Sequence, residues 1–273
     1  VKRYEARDSR QAAKIKNTEA QMKNVVKANT EQIESMRINK YISEKGVCSR
    51  READELINQR KVTINGKTAE MGSKVYPGDV VKVKGKPLKP KSPPVYLAFN
   101  KPPGIVCTTD KKEKDNIIDF INYPKRIFPI GRLDKYSEGL IFLTSDGDIV
   151  NKILRAENNH EKEYIVAVNK PVTEDFIKSM AAGVKILGTI TKKCKATQIS
   201  KYAFKIVLTE GMNRQIRRMC EVFGYKVLNL RRVRIMNVTL GPLPPGRWRY
   251  LTAEELRIIN NLISKSVKAK EST

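Results

Sequence analysis

At 273 residues the chain is long enough for a full hydrophobic core and for two domains, and its 40% apolar content excludes a wholly disordered protein. Its 54 Lys and Arg against 29 Asp and Glu give a formal net charge of +25, which points to a polyanionic partner, nucleic acid before an anionic membrane surface. No apolar run approaches a transmembrane span, and the N-terminus has no signal-peptide core, so no membrane association is expected.

Cys48, Cys107, Cys194 and Cys220 are widely spaced, with no CxxC pair. That pattern supports neither a zinc site nor a disulfide framework, and the expected setting is a reducing cytoplasm. The single histidine, His160, has no sequence partner and is read as a polar surface or hinge residue. There is no GxGxxG and no GKS/GKT loop. The expectation is a site without metal or cofactor, built from carboxylates, basic groups and tyrosine.

Residues 1–35 form a highly charged extension without Gly or Pro, with Ile15, Met22, Val26, Asn29, Ile33 and Met36 at roughly helical spacing. It is read as helical or disordered. In "RINKYISEKG", Ile38, Tyr41 and Ile42 share a helical face and Gly46 suits a C′ stop. In "SRREADELINQRK", Ser49 and Glu52 form a capping box ahead of Ala53, Leu56 and Ile57. "KVTINGKTAEM" then predicts a hairpin turning at Asn65–Gly66, and "YPGDVVKV" predicts one more strand. Arg37 to Lys91 holds fourteen Lys and Arg against six acids. This stretch resembles the S4 RNA-binding domain, placed at 36–84. The resemblance implies that Arg37, Lys40, Arg50, Arg51, Arg60 and Lys61 dock structured RNA through phosphates and shape.

"KGKPLKPKSPP" is rich in Lys and Pro and is read as a semi-rigid linker, 85–94. Beyond it come strand-like segments: "VYLAFNKP", "GIVCTT", "LIFLT", "EYIVAVNKP", "VKILGTITKKCKAT", "YAFKIVLTEG" and "VLNLRRVRIMNVTL". Helical stretches interrupt them, capped at Asp146, Thr173 and Thr252 and stopped at Gly183 and Gly224. Without βαβα alternation, an α+β domain on a mixed, mainly antiparallel sheet is expected over 95–264, followed by a basic tail, 265–273.

Three segments carry candidate chemistry. In "GRLDKYSEGL", Arg132 and Asp134 follow the apolar run Ile127–Ile130. A neighbouring guanidinium favours an ionised carboxylate, as a carboxylate nucleophile requires, but from spacing alone a structural ion pair closing a turn is the favoured reading. In "EGMNRQIRR", Arg214, Arg217 and Arg218 crowd a predicted helix start, where the macrodipole disfavours cations, so an anion nearby is expected. On that helix Arg214 and Arg218 share a face and Arg217 points elsewhere. Tyr164 in "HEKEYIVAV" alternates with Val166 and Val168. That pattern suits core packing or base stacking.

"GRLDKYSEGLIFLTSDGD", "EKEYIV" and "EGMNRQIRRMCEVFGYKVLNLRRVRI", in that order behind an S4 domain, resemble the RsuA/RluB/RluE/RluF family of rRNA pseudouridine synthases, over roughly residues 36–263. The run from "FPIGRLD" to "HEKEY" looks most like the RluF branch, which acts on large-subunit rRNA. The resemblance implies an isomerase that converts uridine to pseudouridine in a flipped-out nucleotide without a cofactor. It implies Asp134 as the essential carboxylate, Tyr164 as the ring packed against the base and Arg217 as the partner of the carboxylate. Arg132 would manage the space left by the flipped base, with Arg214 and Arg218 on RNA. The implied substrate is a 23S rRNA stem-loop, with a tRNA anticodon uridine as a second target, and a monomer is expected. Two rival readings are a non-catalytic ribosome-assembly factor and a charge-driven peripheral membrane protein.

Overall fold

The computed structural model describes residues 35–89, 93–154 and 159–264. The expectations for the N-terminal extension up to residue 34 and for the tail 265–273 lie outside the described residues. Contacts divide the chain into two compact units between residues 92 and 93.

In the first unit, β1 (Met36–Arg37) leads into α1 (Ile38–Glu44) and α2 (Arg50–Asn58). Strands β2 (Val62–Ile64), β3 (Lys67–Thr68), β4 (Lys74–Val75), β5 (Val81–Val83) and β6 (Lys86–Pro87) follow. Gly46 takes φ +78° just past α1, a conformation that stops a helix at no steric cost to glycine. The Ser49 side chain accepts from the Glu52 amide while Glu52 accepts from the Ser49 amide, closing the capping box that starts α2. Asn65 (φ +51°) and Gly66 (φ +83°) make the tight turn joining β2 to β3. The Asn65 side chain holds that turn, donating to Asp79 at 2.7 Å and accepting from the Val80 amide at 2.9 Å. Ile38, Ile42, Ala53 and Ile57 from the helices meet Val62, Val75, Val81 and Val83 in one core.

One feature differs from the sequence reading. β6 pairs antiparallel with β5, so Lys86 and Pro87 extend the four-stranded sheet β3-β2-β5-β6 into the segment read as linker. Lys84 and Gly85 make this possible. Both have positive φ and turn the chain back onto β5.

The second unit runs β7 (Tyr96–Lys101), α3 (Ile117–Ile121), β8 (Phe128–Ile130), β9 (Glu138–Thr144), α4 (Gly147–Leu154), β10 (Lys162–Val168) and α5 (Glu174–Ala182). It continues with β11 (Lys185–Ile186), β12 (Thr189–Ile190), β13 (Lys195–Ser200), β14 (Ala203–Leu208), α6 (Gln215–Val222), β15 (Val227–Ile235), β16 (Val238–Thr239), β17 (Trp248–Tyr250) and α7 (Ala253–Ser264). The main sheet has the order β13-β14-β10-β15-β9-β7-β17, with β16 on β15 and β8 on β9. Every pairing in it is antiparallel except β9 with β15.

Period-two alternation makes this sheet two-faced. Leu97, Phe99, Ile141, Leu143, Val166, Phe204 and Ile206 join a core with α3, α5 and α6. Ala98, Leu140 and Phe142 join a second core with α4 and α7. "GIVCTT", read as a strand, makes only one bridge, Val106 with Asn116. The Val106 amide donates to Asp115 and its carbonyl accepts from Ile117, so this segment is bound to the start of α3 instead of the sheet.

Candidate active site

One transverse row of the sheet organises the site. Lys101 on β7 lies opposite Gly139 on β9, Gly139 opposite Arg232 on β15, and Arg232 opposite Tyr164 on β10. Asp134 lies in the loop that feeds β9, beside this row.

That loop is clamped from below. Lys101, fully buried, donates from Nζ to the carbonyls of Pro102 (2.9 Å), Lys135 (3.0 Å) and Ser137 (2.8 Å). Burial pushes the Lys101 ammonium below its ordinary pKa, and nearby Cys107, Asp134 and Glu138 oppose the shift. The Gly104 amide also donates to Lys135, at 2.7 Å, and the Ser137 amide closes a turn on the Asp134 carbonyl at 3.0 Å. On the other side the Leu133 amide donates to Cys107 Sγ at 3.4 Å. Desolvation raises the Cys107 thiol pKa and keeps it a neutral acceptor. A loop held at this many backbone points presents its carboxylate with little freedom.

Arg217 comes from the first turn of α6. Its Nη1 donates to the Val227 carbonyl and its Nη2 to Ser137 Oγ, both at 3.2 Å. Those two bonds aim Nε at Asp134 Oδ2, 3.7 Å away. This Nε is buried and has no hydrogen-bond partner. The separation exceeds a charge-assisted hydrogen bond, so the carboxylate faces the guanidinium without being locked to it. The Asp134 side chain stays 34% exposed and opens onto the cavity.

The entry to α6 is built by Glu210 and Gln215. Glu210 Oε1 accepts from Gln215 Nε2 (2.7 Å) and from the Lys192 amide (2.9 Å), and Gln215 Oε1 accepts from the Met212 amide (3.0 Å). The turn leaves Arg214 as N-cap in the left-handed region, φ +51°, exposed at the cavity wall. Non-glycine residues held there carry local strain, which concentrates at functional sites. Arg214 therefore precedes the helix and does not share a helical face with Arg218. Arg218 turns back onto Asn213, bonding its carbonyl at 3.1 Å and its side chain at 3.2 Å.

The cavity holds about 970 Å³, ample for a nucleoside. Asp134, Arg132, Lys135, Lys162, Tyr164, Glu210, Arg214 and Arg232 are among its walls. Arg132 is exposed, and Tyr164 is only 8% exposed. The structure thus gathers Asp134, Tyr164, Arg132 and Arg214 on one cavity, with Arg217 directly behind Asp134. Arg218 is not among the lining residues.

Of the residues read as RNA contacts in the first unit, Arg37, Arg50, Arg51, Arg60 and Lys61 are exposed. Lys40 is half-buried and reaches Glu44 at 3.3 Å. His160, read as a surface or hinge residue, is buried at 6% exposure, and burial lowers its pKa.

Sequence reasoning missed Lys101, Ser137, Lys162 and Arg232. Lys162 had a legible signal: it stands two residues before Tyr164, so strand alternation puts both on one face. Arg232 is hidden in "RRVR", where only strand pairing separates the buried arginine from its neighbours.

The family model described as S4 domain matches residues 36–81, and that described as RNA pseudouridylate synthase matches residues 95–222. The chain is 60% identical over 234 residues to the dual-specificity RNA pseudouridine synthase RluF of Escherichia coli (strain K12), covering 85% of this chain and 81% of that protein. It is 36% identical over 235 residues to ribosomal large subunit pseudouridine synthase B of Bacillus subtilis (strain 168), covering 83% and 96%. A crystal structure of a pseudouridylate synthase superposes with TM-score 0.61 at 31% identity, over 82% of this chain and 99% of that one. The chain therefore belongs to the RNA pseudouridine synthases, isomerases that turn uridine in RNA into its C-glycoside, and carries an S4 domain ahead of the synthase domain.

Proposed function

We propose that Asp134 is the carboxylate that acts on the sugar of the target uridine, with Arg217 holding its charge and position and Tyr164 packing against the base. Arg132, exposed at the same cavity, fills or guards the space that the flipped base leaves. What supports these roles above all is the 3.7 Å approach of Arg217 Nε to Asp134 Oδ2 on the wall that Tyr164 also lines. The chemistry suits such a site. Isomerisation requires the base to leave its stack and its glycosidic bond to be exchanged, with no redox change and no external nucleophile.

The proposed substrate is a uridine in a 23S rRNA stem-loop, with a tRNA anticodon uridine as second target. The dual specificity named for the E. coli relative and the large-subunit target named for the B. subtilis relative support it. Arg37, Lys40, Arg50, Arg51, Arg60 and Lys61 bind the flanking RNA from residues 36–84, and Arg214 and Arg218 bind it from the synthase domain, 95–264. The enzyme works as a cytoplasmic monomer, since its basic surfaces match RNA better than a second basic copy.

The test is release of tritium from transcripts labelled at uridine C5. Wild type should release it, and Asp134→Asn should bind the same RNA with unchanged affinity and release none. Release by Asp134→Asn at the wild-type rate would remove Asp134 from the chemistry. No release by either protein would favour a non-catalytic assembly factor.

A further inference from the structure

Lys162 and Arg232 have no part in the roles assigned so far, yet their placement is costly. Lys162 lines the cavity beside Tyr164, and its Nζ makes one hydrogen bond, to the His160 carbonyl at 3.3 Å. Arg232 is 4% exposed and lies opposite Tyr164 in the strand register, with Cζ 5.9 Å from the centre of that ring. Its Nε donates to the Leu140 carbonyl at 2.6 Å, while its Nη2 is buried without a hydrogen-bond partner.

Carboxylates are close at hand but are used elsewhere. Glu161 and Glu163, which flank Lys162 in the chain, both go to Arg234, at 2.9 and 3.2 Å. Among the described residues neither Lys162 nor Arg232 has a carboxylate within salt-bridge distance. Two cations thus line one side of the cavity, and burial together with Arg232 pushes the Lys162 ammonium down to about 8. Such an arrangement is strained until an anion arrives.

The reaction of this enzyme class supplies one. When the N1–C1′ bond of uridine breaks, its electron pair stays on the base as a uracil anion, with charge spread over N1, O2 and O4. C5 then bonds to C1′, C5 gives up its proton and N1 takes one, so the isomer forms with no net gain of charge or atoms.

We propose that Lys162, with Arg232 behind it, forms the cationic side of the base subsite and holds the detached uracil anion while it turns from N1 to C5. This rests on the cavity being the reaction site, as proposed above. Lys162 would touch an oxygen of the base. Arg232 acts through Tyr164 and Lys162 and is a positioning residue. The other charged or titratable groups facing this region are His160, two residues before β10, and Cys107, Tyr164, Asp134, Arg132, Lys135, Glu210 and Arg214, which line the same cavity.

The test uses the full chain under single turnover, with transcripts carrying uridine or 5-fluorouridine at the target, followed by chromatography of the digested nucleosides. The fluorine withdraws electrons and makes the base a better leaving group. Its C5 has no proton to lose after bonding C1′, so the rearranged base takes up water across N1=C6 and conversion is read as that hydrated C5-linked product. Lys162→Met should slow conversion of uridine about a hundredfold, as loss of one preorganised donor does, with RNA affinity unchanged, and should slow the fluorinated substrate only about tenfold. Lys162→Arg should restore most of the rate. Wild-type kcat/KM should fall as pH rises through about 8, and Lys162→Arg should remove that fall.

An equal loss by Lys162→Met on both substrates, or no loss, would overturn the inference. Should Lys162→Met fail to fold, an alkaline limb that persists unchanged in Lys162→Arg would overturn it. Asp134→Asn is run alongside. If it converts uridine normally, the cavity is not the reaction site. If it is inactive while Lys162→Met is unimpaired, only the anion role falls.

Discussion

Gly139 is the tightest point of the transverse row, and replacing it with alanine gives a sharp measure of how that row is held. A Cβ there would lie 2.2 Å from the carbonyl oxygen of Arg232 and 2.7 Å from its nitrogen. Non-bonded atoms attract near ~3.5 Å, so β9 and β15 would have to part by roughly 1 Å. Gly139 also sits at φ +102°, where a side chain costs about 1–3 kcal/mol. Overpacking against a central strand adds about 1–3 kcal/mol. A total near 4 kcal/mol lowers the melting temperature of a domain this size by about 8–16 °C. Gly188→Ala is the control. It has φ +76° but nothing within 4 Å of the added Cβ, so it carries the backbone cost without the clash. At that left-handed φ a side chain costs about 1–2 kcal/mol, so its expected drop is about 2–8 °C. Thermal unfolding followed by circular dichroism reads both. Because Arg232 and Tyr164 continue the same row, Gly139→Ala should also lose tritium release at temperatures where it is still folded. Equal melting shifts for the two variants, or a Gly139→Ala protein within about 3 °C of wild type, would refute the close-approach account.

RNA affinity should fall steeply with salt: about five phosphate contacts give a log–log slope near −4, or about 250-fold between 50 and 200 mM, and a flat response would contradict phosphate-led binding. A chain starting at Pro93 should keep the melting transition of the second unit while binding RNA at least tenfold more weakly, because the S4 sheet, including β6, is removed whole; undiminished affinity would count against docking by that domain. Hydrogen bonding from Arg249 holds the Glu255 carboxyl below the usual carboxylate range, so its stabilisation is complete above the unfolded value of about 4.3 and is lost as pH falls through the lower folded value. The melting difference between wild type and Glu255→Gln should therefore shrink between pH 7 and pH 3, and a difference that grows would reverse the sign of this linkage. Burial pushes the Cys220 thiol up to about 12 and Cys194 up to about 11, so in the folded protein at pH 8 both should resist iodoacetamide until denaturant is added, as mass spectrometry of the digested peptides would record.

Local signals carried a large part of the fold. The Ser49–Glu52 capping box, the Asn65–Gly66 turn, the Thr173 cap and the Thr252–Glu255 box each depend on residues within three or four positions of one another, and each forms where the sequence places it. Alternation in "EYIVAV" and "YAFKIVL" likewise marks half-buried strands, because the period of two is a property of the chain itself. Errors came where a segment's partner is remote. "GIVCTT" has strand composition, but its polar backbone groups are taken by residues 115–117. Lys86–Pro87 has linker composition, but the turn at Lys84–Gly85 folds it onto β5.

For the site, the sequence alone determined which residue types were present, their order, and their likeness to a known set of motifs. It determined that Asp134, Tyr164 and the arginines of "RQIRR" were the residues to watch. The resemblance already singled out Arg217 as the partner of the carboxylate, but only the tertiary structure shows why Arg214 and Arg218, alike in chemistry, do not take that place: the loop before α6 sends them elsewhere. Only strand order set Lys101, Gly139, Arg232 and Tyr164 in one row, from positions spread across 132 residues of chain. The physical reason is range. Caps, turns and alternation are written in neighbouring residues, whereas the pairing of a buried lysine with distant carbonyls, or of a carboxylate with a guanidinium 83 positions away, exists only once the sheet has closed.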